Sequence, residues 1–153
     1  MLTLDRIEIR APLDRVFSCA RDVERWPEIL PHYRWVRVLE RREDGGRVEM
    51  AAWRPFGMVR WPTWWVSEMR VDRAAGEIRY RHVRGITTGM DVVWRLTATA
   101  SGVAIALAHQ WSGPDWPGIG ALAANLVIGP VFVHGVAART LAGLKRHLEG
   151  AAA

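Results

Sequence analysis

The chain has 153 residues, half of them hydrophobic, and a formal net charge of +5. This length is typical of one domain, which we expect over residues 1–150 with a frayed tail at 151–153. The 21 basic residues are scattered among 16 acidic ones. Because a nucleic-acid footprint requires clustered basic residues, we expect no nucleic-acid partner.

The composition also bears on the compartment. The single cysteine, Cys19, cannot form an intramolecular disulfide, which suits a reducing environment. The first ten residues are rich in charge and lack the apolar stretch of a secretory signal. The longest apolar run, residues 118–133, is interrupted by Asn125 and Pro130 and is shorter than the roughly 20 residues that span a bilayer. We therefore expect a cytoplasmic protein without an integral membrane segment.

The first predicted element is a strand over residues 2–10, with room for an irregularity near Asp5. Pro12 suits the first turn of a helix that runs to about Arg21. A second short helix is predicted from Val23 to Leu30. The apolar positions of the strand are Leu2, Leu4, Ile7 and Ile9.

Six further segments alternate with a period of two residues, which is typical of an antiparallel sheet with one covered face. Turn residues separate them, and Asp44-Gly45-Gly46 gives a hairpin signal. The predicted strands are residues 33–42, 47–54, 59–71, 77–84, 89–99 and 103–111. The residues predicted to share one face on them are Val48, Met50, Ala52, Val59, Trp61, Thr63, Trp65, Ser67, Met69, Val71, Ile78, Tyr80, His82, Met90, Val92, Trp94, Leu96, Ala98, Val103, Ile105, Leu107, His109 and Trp111.

The last segment changes period and predicts a long C-terminal helix. Its apolar residues recur at helical spacing, and basic residues near its end suit the negative end of the helix dipole. The apolar positions are Val133, Ala137, Leu141, Leu144 and Leu148.

The element order predicts an α+β domain in which one long helix covers a seven-stranded sheet. A twisted sheet of this size curves, and a single helix cannot fill its concave side. We therefore expect an internal apolar cavity. Nine tryptophans, against three phenylalanines and two tyrosines, supply the bulky walls for such a cavity.

The element order resembles that of the START-like (SRPBCC) superfamily of helix-grip proteins. Two segments share in this resemblance, namely Asp22-Val23-Glu24-Arg25-Trp26-Pro27 and the strand Trp65-Val66-Ser67-Glu68. Within it the chain looks most like the polyketide aromatase/cyclases and the coenzyme Q-binding proteins. The resemblance implies a helix-grip fold: a seven-stranded, curved antiparallel sheet around a long C-terminal helix, with two short helices after the first strand.

The resemblance also implies a deep cavity between the sheet and the C-terminal helix that holds a hydrophobic ligand. In the aromatase/cyclases an arginine directly follows the Val-Ser-Glu triplet and points into that cavity. Here this position is Met69, and the position of a second cavity arginine falls at His82.

The candidate ligand-binding residues are bulky side chains near the second helix, on the inward strand faces or near the C-terminal helix. Each of them can instead be ordinary core packing, but an aromatic side chain with a polar tip suits the rim of a pocket. They are Trp26, Tyr33, Trp65, Met69, Met90, Trp94, Trp111 and Phe132.

His82 and His109 are the candidate catalytic residues, because a neutral imidazole in an apolar cavity can act as a general acid or base. A lone inward histidine is more often a hydrogen-bonded core residue. We expect no carboxylate beside them on that face, and so assign no metal and no cofactor. His134 is a further pocket candidate at the start of the C-terminal helix.

Three functions stay open. The first is binding of a hydrophobic small molecule such as a polyketide, a quinone, a lipid or another aromatic metabolite. The second is a cyclase/aromatase-like or dehydratase-like enzyme, whose cavity fixes the conformation of a reactive chain while histidines move protons. The third is a lipid- or membrane-associated chaperone, suggested by the apolar residues 118–133. The sequence also leaves a homodimer open.

Overall fold

The computed structural model describes residues 1–56, 58–115, 117–118 and 133–150, and of residues 55 and 56 only the backbone. Seven antiparallel strands form one sheet in the order β1-β7-β6-β5-β4-β3-β2, so that β1 and β2 are its edges. The strands are β1 (Leu2–Ile9), β2 (Tyr33–Arg42), β3 (Gly45–Phe56), β4 (Val59–Asp72), β5 (Glu77–Gly85), β6 (Asp91–Ala98) and β7 (Val103–Gln110).

Two short helices follow β1, and a long helix lies at the end of the described chain. They are α1 (Leu13–Arg21), α2 (Trp26–Ile29), which is preceded by a 3₁₀ turn at Val23–Arg25, and α3 (His134–Gly150). None of the helices in the described ranges is long and apolar enough to cross a membrane. The predicted α+β fold, with its seven-stranded curved antiparallel sheet and its C-terminal helix, is confirmed.

Helix α3 packs on the sheet through the apolar positions that the sequence predicts. Ala137, Leu141, Leu144 and Leu148 are all buried, since their helical spacing places them on one face. Gly143, also buried on α3, lies so close to the Leu30 side chain that a Cβ atom there would require Leu30 to shift. Close packing at this point brings α3 against the end of α2.

Strand β1 presents the opposite face from the one that the sequence indicates for its first half. It pairs with β7 without a register shift, from Leu2 opposite Gln110 to Ile9 opposite Val103. Leu2 and Leu4 are therefore 74% and 51% exposed, while Asp5 is buried. The expected irregularity near Asp5 is wrong, because continuous pairing with β7 prevents the strand from changing face.

The β3–β4 hairpin extends beyond its neighbours at one end of the sheet. Pairing of β3 with β2 ends at Ala52, and pairing of β4 with β5 ends at Trp65. The outer part of the hairpin pairs only with itself. Val59 and Trp61, which the alternation predicts to face the core, are consequently 60% and 58% exposed.

The face of β1 can be tested by two alanine substitutions on the same strand. Ile9→Ala removes a fully buried side chain, so we expect it to lower the free energy of unfolding by about 2–4 kcal/mol. Leu4→Ala changes an exposed side chain, and we expect a loss below about 1 kcal/mol. Chemical denaturation measures both values, and equal losses would contradict the observed register.

Candidate functional site

A cavity lies between the concave face of the sheet and α3. Strands β2 to β7 and helices α2 and α3 contribute to its lining. Its volume is about 70 Å³, roughly half that of an engineered apolar cavity of ~150 Å³ that binds benzene. A ligand of aromatic size must therefore displace lining side chains, and the flexible Met50 and Met90 are suited to move.

One wall of the cavity is a continuous row of rings from four strands and α2. The ring centroids of Trp94 and Trp26 are 5.7 Å apart, those of Trp26 and Tyr33 5.2 Å, and those of Tyr33 and Trp65 6.3 Å. Trp65 in turn stacks on His82 at 5.8 Å, with an angle of 13° between the planes. The indole N–H of Trp26 donates to the carbonyl of Cys19 at 3.1 Å, which fixes α2 against α1.

Arg54 is the cavity residue that the sequence analysis missed. It continues the inward series of Val48, Met50 and Ala52 on β3, and it is only 5% exposed. Burial lowers the pKa of its guanidinium to about 10, so the side chain stays cationic at neutral pH. The alternation was the available signal, but a charged side chain is normally assigned to solvent.

His82 and His109 both line the cavity and both hydrogen bond to a threonine. His82 Nδ1 lies 2.7 Å from Thr87 Oγ1, and His109 Nδ1 lies 3.2 Å from Thr3 Oγ1. Burial is the main cause that lowers the pKa of His82 to about 3, with the charges of His109 and Arg54 as smaller causes. Burial likewise lowers the pKa of His109 to about 4, with Arg54 and His134 as smaller causes. Both imidazoles are therefore neutral at pH 7.

The turn that carries Thr87 depends on Gly85. This residue has a φ of +101°, and a Cβ atom there would collide with the carbonyl oxygen of Trp64. Only glycine adopts this conformation at such a close approach without strain. The chain therefore turns sharply at the end of β5 and returns Thr87 to His82.

Two tyrosine hydroxyls differ in their hydrogen bonding. Thr140 Oγ1 donates to the carbonyl of Val136 at 2.8 Å and lies 3.5 Å from Tyr33 Oη and 3.0 Å from His32 Nε2. Burial raises the pKa of Tyr33 to about 12 and raises that of Tyr80 as well. The hydroxyl of Tyr80 is buried and has no hydrogen-bond partner among the described residues, so it can donate to a ligand.

The structure brings most of the predicted residues together at this cavity. The lining includes Trp26, Tyr33, Trp65, Met90 and Trp94 together with His82 and His109.

Three other candidates lie elsewhere or outside the described chain. Met69 is buried but lies beside Val48 and Val71 at the other end of β4, where α1 and the 3₁₀ turn cover the sheet. Trp111 is also buried away from the cavity lining, and its indole N–H donates to the Thr88 carbonyl at 2.9 Å. Phe132 lies outside the described residues.

One carboxylate, that of Asp5 on β1, is buried on the inward side of the sheet. Asp5 Oδ1 lies 2.6 Å from Nδ1 of His134, whose side chain is 61% exposed and does not line the cavity. Burial raises the pKa of Asp5, although His134 opposes this shift. Within the described ranges, no three His, Cys, Asp or Glu side chains are grouped so as to hold a metal ion.

The chain belongs to the family described as polyketide cyclase / dehydrase and lipid transport, whose sequence model matches residues 9–131. A Streptomyces halstedii protein whose name provisionally calls it a polyketide cyclase is 35% identical over 102 residues, covering 66% of this chain and 92% of the relative. The family predicted from the sequence is thus confirmed.

Solved structures confirm the fold. The Zhui aromatase/cyclase from Streptomyces sp. R1128 matches with a TM-score of 0.78 and 19% identity, over 99% of this chain and 97% of that chain. A START superfamily protein from Mycobacterium smegmatis matches with a TM-score of 0.73 and 15% identity, over 98% of each chain.

The unpaired hydroxyl of Tyr80 gives a test of the cavity's hydrogen bonding. Tyr80→Phe removes a buried donor that has no partner in the described chain, so we expect the free energy of unfolding to stay unchanged or rise by about 1 kcal/mol. Thr140→Val is the matched control, because it breaks existing bonds and should cost about 1–2 kcal/mol. A clear loss in Tyr80→Phe, measured by denaturation, would contradict this assignment.

The pKa values of the histidines predict a stability that depends on pH. An unfolded histidine titrates near pH 6.5, whereas folded His82 and His109 titrate near 3 and 4. Below pH 6.5 the unfolded chain therefore binds more protons, and stability falls by up to about 1.4 kcal/mol per pH unit for each histidine.

Denaturation at pH values from 7 to about 4 measures this slope. His82→Gln and His109→Gln should each flatten it. Leu39→Gln, at an exposed position on β2 without a titrating group, is the control and should leave it unchanged. A slope that neither cavity substitution alters would contradict the assignment.

Proposed function

We propose that this protein binds a hydrophobic molecule with several carbonyl oxygens, of the polyketide class, and promotes its cyclisation and dehydration. The observation that carries the proposal is a buried guanidinium, that of Arg54, in an aromatic-walled cavity with two neutral imidazoles. Membership of the family supports it, as does the provisional name of the Streptomyces halstedii relative.

The walls and the cation have separate roles in this proposal. Burying apolar area against tryptophan and methionine gives affinity, at ~25 cal/mol per Å². A fixed cation in a site of low dielectric constant stabilises negative charge that develops on a carbonyl oxygen, more strongly than water does. Arg54 would therefore hold one oxygen of the ligand, and the Tyr80 hydroxyl, which has no hydrogen-bond partner among the described residues, can hold another.

The proposed reaction is redox-neutral and needs no co-reactant. His82 or His109 takes a proton from a CH₂ group between two carbonyls, and the enolate oxygen that forms faces Arg54. The enolate carbon adds to a second carbonyl of the same chain and forms the new C–C bond. The resulting alkoxide takes back the proton, and loss of water then gives a C=C bond.

A second candidate function is binding and transport without turnover. It is favoured by the hydrogen bonds that both histidines make to threonine hydroxyls, since this is how a structural histidine is held. Lipid transport also forms part of the family's description. Under this function the cavity would protect an apolar ligand, and Arg54 would only orient it.

Native mass spectrometry of the purified protein is the first test, because a retained ligand identifies the chemical class. Turnover and binding are then measured separately on a linear poly-β-ketone analogue. We expect Arg54→Gln to lower turnover by about 100-fold or more and His82→Gln or His109→Gln by about 100-fold. Trp94→Ala should mainly weaken binding, because it removes a cavity wall.

Arg70→Gln, an exposed substitution on β4, is the matched control and should leave both quantities unchanged. Binding that depends on Trp94, without any turnover, would favour the transport function. Failure of the wild-type protein to bind the analogue or to retain any apolar ligand would contradict both functions.

We further propose that the protein acts in the cytoplasm on its small-molecule ligand without nucleic acid. A homodimer stays a prediction, and analytical ultracentrifugation would test it.

A further inference from the structure

The projecting end of the β3–β4 hairpin exposes a cluster of apolar side chains. Met58 is fully exposed, and Val59 and Trp61 are 60% and 58% exposed. These three residues are named here the hairpin tip. Val59 and Trp61 lie where β3 and β4 pair only with each other, and Met58 lies in the turn just before Val59. An exposed apolar cluster on a projecting hairpin usually marks a contact with another body.

Three arginines, named here the basic flank, lie on the outer face behind this tip. The guanidinium carbons of Arg34 and Arg60 lie 4.7 and 5.3 Å from the Trp53 ring centroid, and that of Arg84 lies 5.6 Å from the Trp64 ring centroid. No carboxylate of the described residues forms a salt bridge with any of the three. Their positive charge is held in place and is not neutralised within the described chain.

Charge is segregated along the strands. At the end of the sheet that carries the hairpin tip, residues 29–36, 50–66 and 82–90 contain no Asp or Glu. At the other end, β2 to β5 and their turns carry the carboxylates of Glu40, Asp44, Glu68, Asp72 and Glu77. On β2 to β5, the end with exposed apolar residues is therefore the basic end, which is complementary to an anionic surface.

We propose that the hairpin tip docks on an anionic lipid bilayer, with its three apolar side chains in the interface and the basic flank against lipid phosphates. Tryptophan prefers this depth of a bilayer, because its ring is apolar and its N–H is polar. Each arginine near an anionic leaflet contributes about 1 kcal/mol. A stable protein interface needs roughly 800 Å² per partner, which is a larger area than three side chains on a hairpin provide.

The cavity lies directly behind this surface. Trp61 of the hairpin tip is the cross-strand partner of Arg54, so both side chains lie on the same face of the sheet. A docked tip would bring the cavity end marked by Arg54 to the bilayer. An apolar ligand would then pass between membrane and cavity without crossing water. The docking stands on the hairpin alone and does not depend on which reaction the cavity performs.

Co-sedimentation of the full chain with vesicles tests the proposal. One vesicle is phosphatidylcholine alone, and in the other part of it is replaced by phosphatidylglycerol. We expect binding to the anionic vesicle only, weakened by added salt. The double variant Met58→Ser/Trp61→Ser should lower the partition coefficient at least about tenfold, and Arg60→Gln about fivefold.

Two matched controls lie at the other end of the sheet. Leu39→Ser alters another exposed apolar residue, on β2, and Arg70→Gln alters another exposed arginine of β4. Both should bind as the wild type does, and thermal unfolding confirms that all variants fold. Equal binding to both vesicles, or undiminished binding of the tip variant, would overturn the proposal. So would a failure to sediment at all, which would point to an acidic protein as the partner.

Discussion

The rest of this structure depends on one constraint: the helices of the described residues cover only part of the concave face of a seven-stranded sheet. Helix α3 packs on the sheet, α2 forms part of the cavity wall, and α1 with the 3₁₀ turn covers one end of the sheet. Met69 lies under that covered part and is ordinary core. At the other end β3 and β4 extend beyond the helices that the structure describes, and the side chains of the hairpin there either line the cavity or reach solvent. The position of a residue along its strand therefore decides its environment as much as its face does.

The chemistry of the cavity follows from placing one cation among groups whose neutral forms are favoured there. Burial alone disfavours the charged form of His82, His109, Tyr33 and Tyr80, because apolar walls replace water. Arg54 adds to this effect for the histidines, since a second positive charge beside it is costly. The result is a cation next to neutral proton carriers, which suits the formation of an enolate better than a charged imidazole would.

The sequence predicts the faces of the strands from their alternation, and this succeeds for most positions on strands that are flanked on both sides. Ala98, at the end of β6, is exposed although it was predicted to face inwards. Val48, Met50, Trp65, Ile78 and Trp94 are all buried as expected. It fails at the edge and at the projecting end. Leu2 and Leu4 are apolar on the open face of an edge strand, and Trp61 faces inwards beyond the core. The two-residue alternation does not show where a strand extends beyond the strands that pair with it.

The inward position of Arg54 could have been predicted from the same alternation, but an arginine is normally assigned to the surface because it is charged. Asp5 was missed because it too is charged. In addition, its partner His134 is 129 positions away in the chain, so the sequence gives no sign of the pair. Both residues occupy inward positions at which the pattern of apolar residues is interrupted. An interruption of this kind, on a strand that otherwise alternates well, indicates a buried polar site that hydropathy alone does not reveal.

The β3–β4 hairpin joins the cavity to the surface in one continuous pair of strands. Met50 and Trp65 line the cavity from directly opposite positions, and Arg54 and Trp61 form a second opposite pair further along the hairpin. Arg54 is therefore the lining residue that the strand register places closest to the hairpin tip. The aromatic row from Trp94 to Trp65 begins on this same pair of strands at Trp65 and reaches α2 at Trp26, whose indole N–H donates to the carbonyl of Cys19.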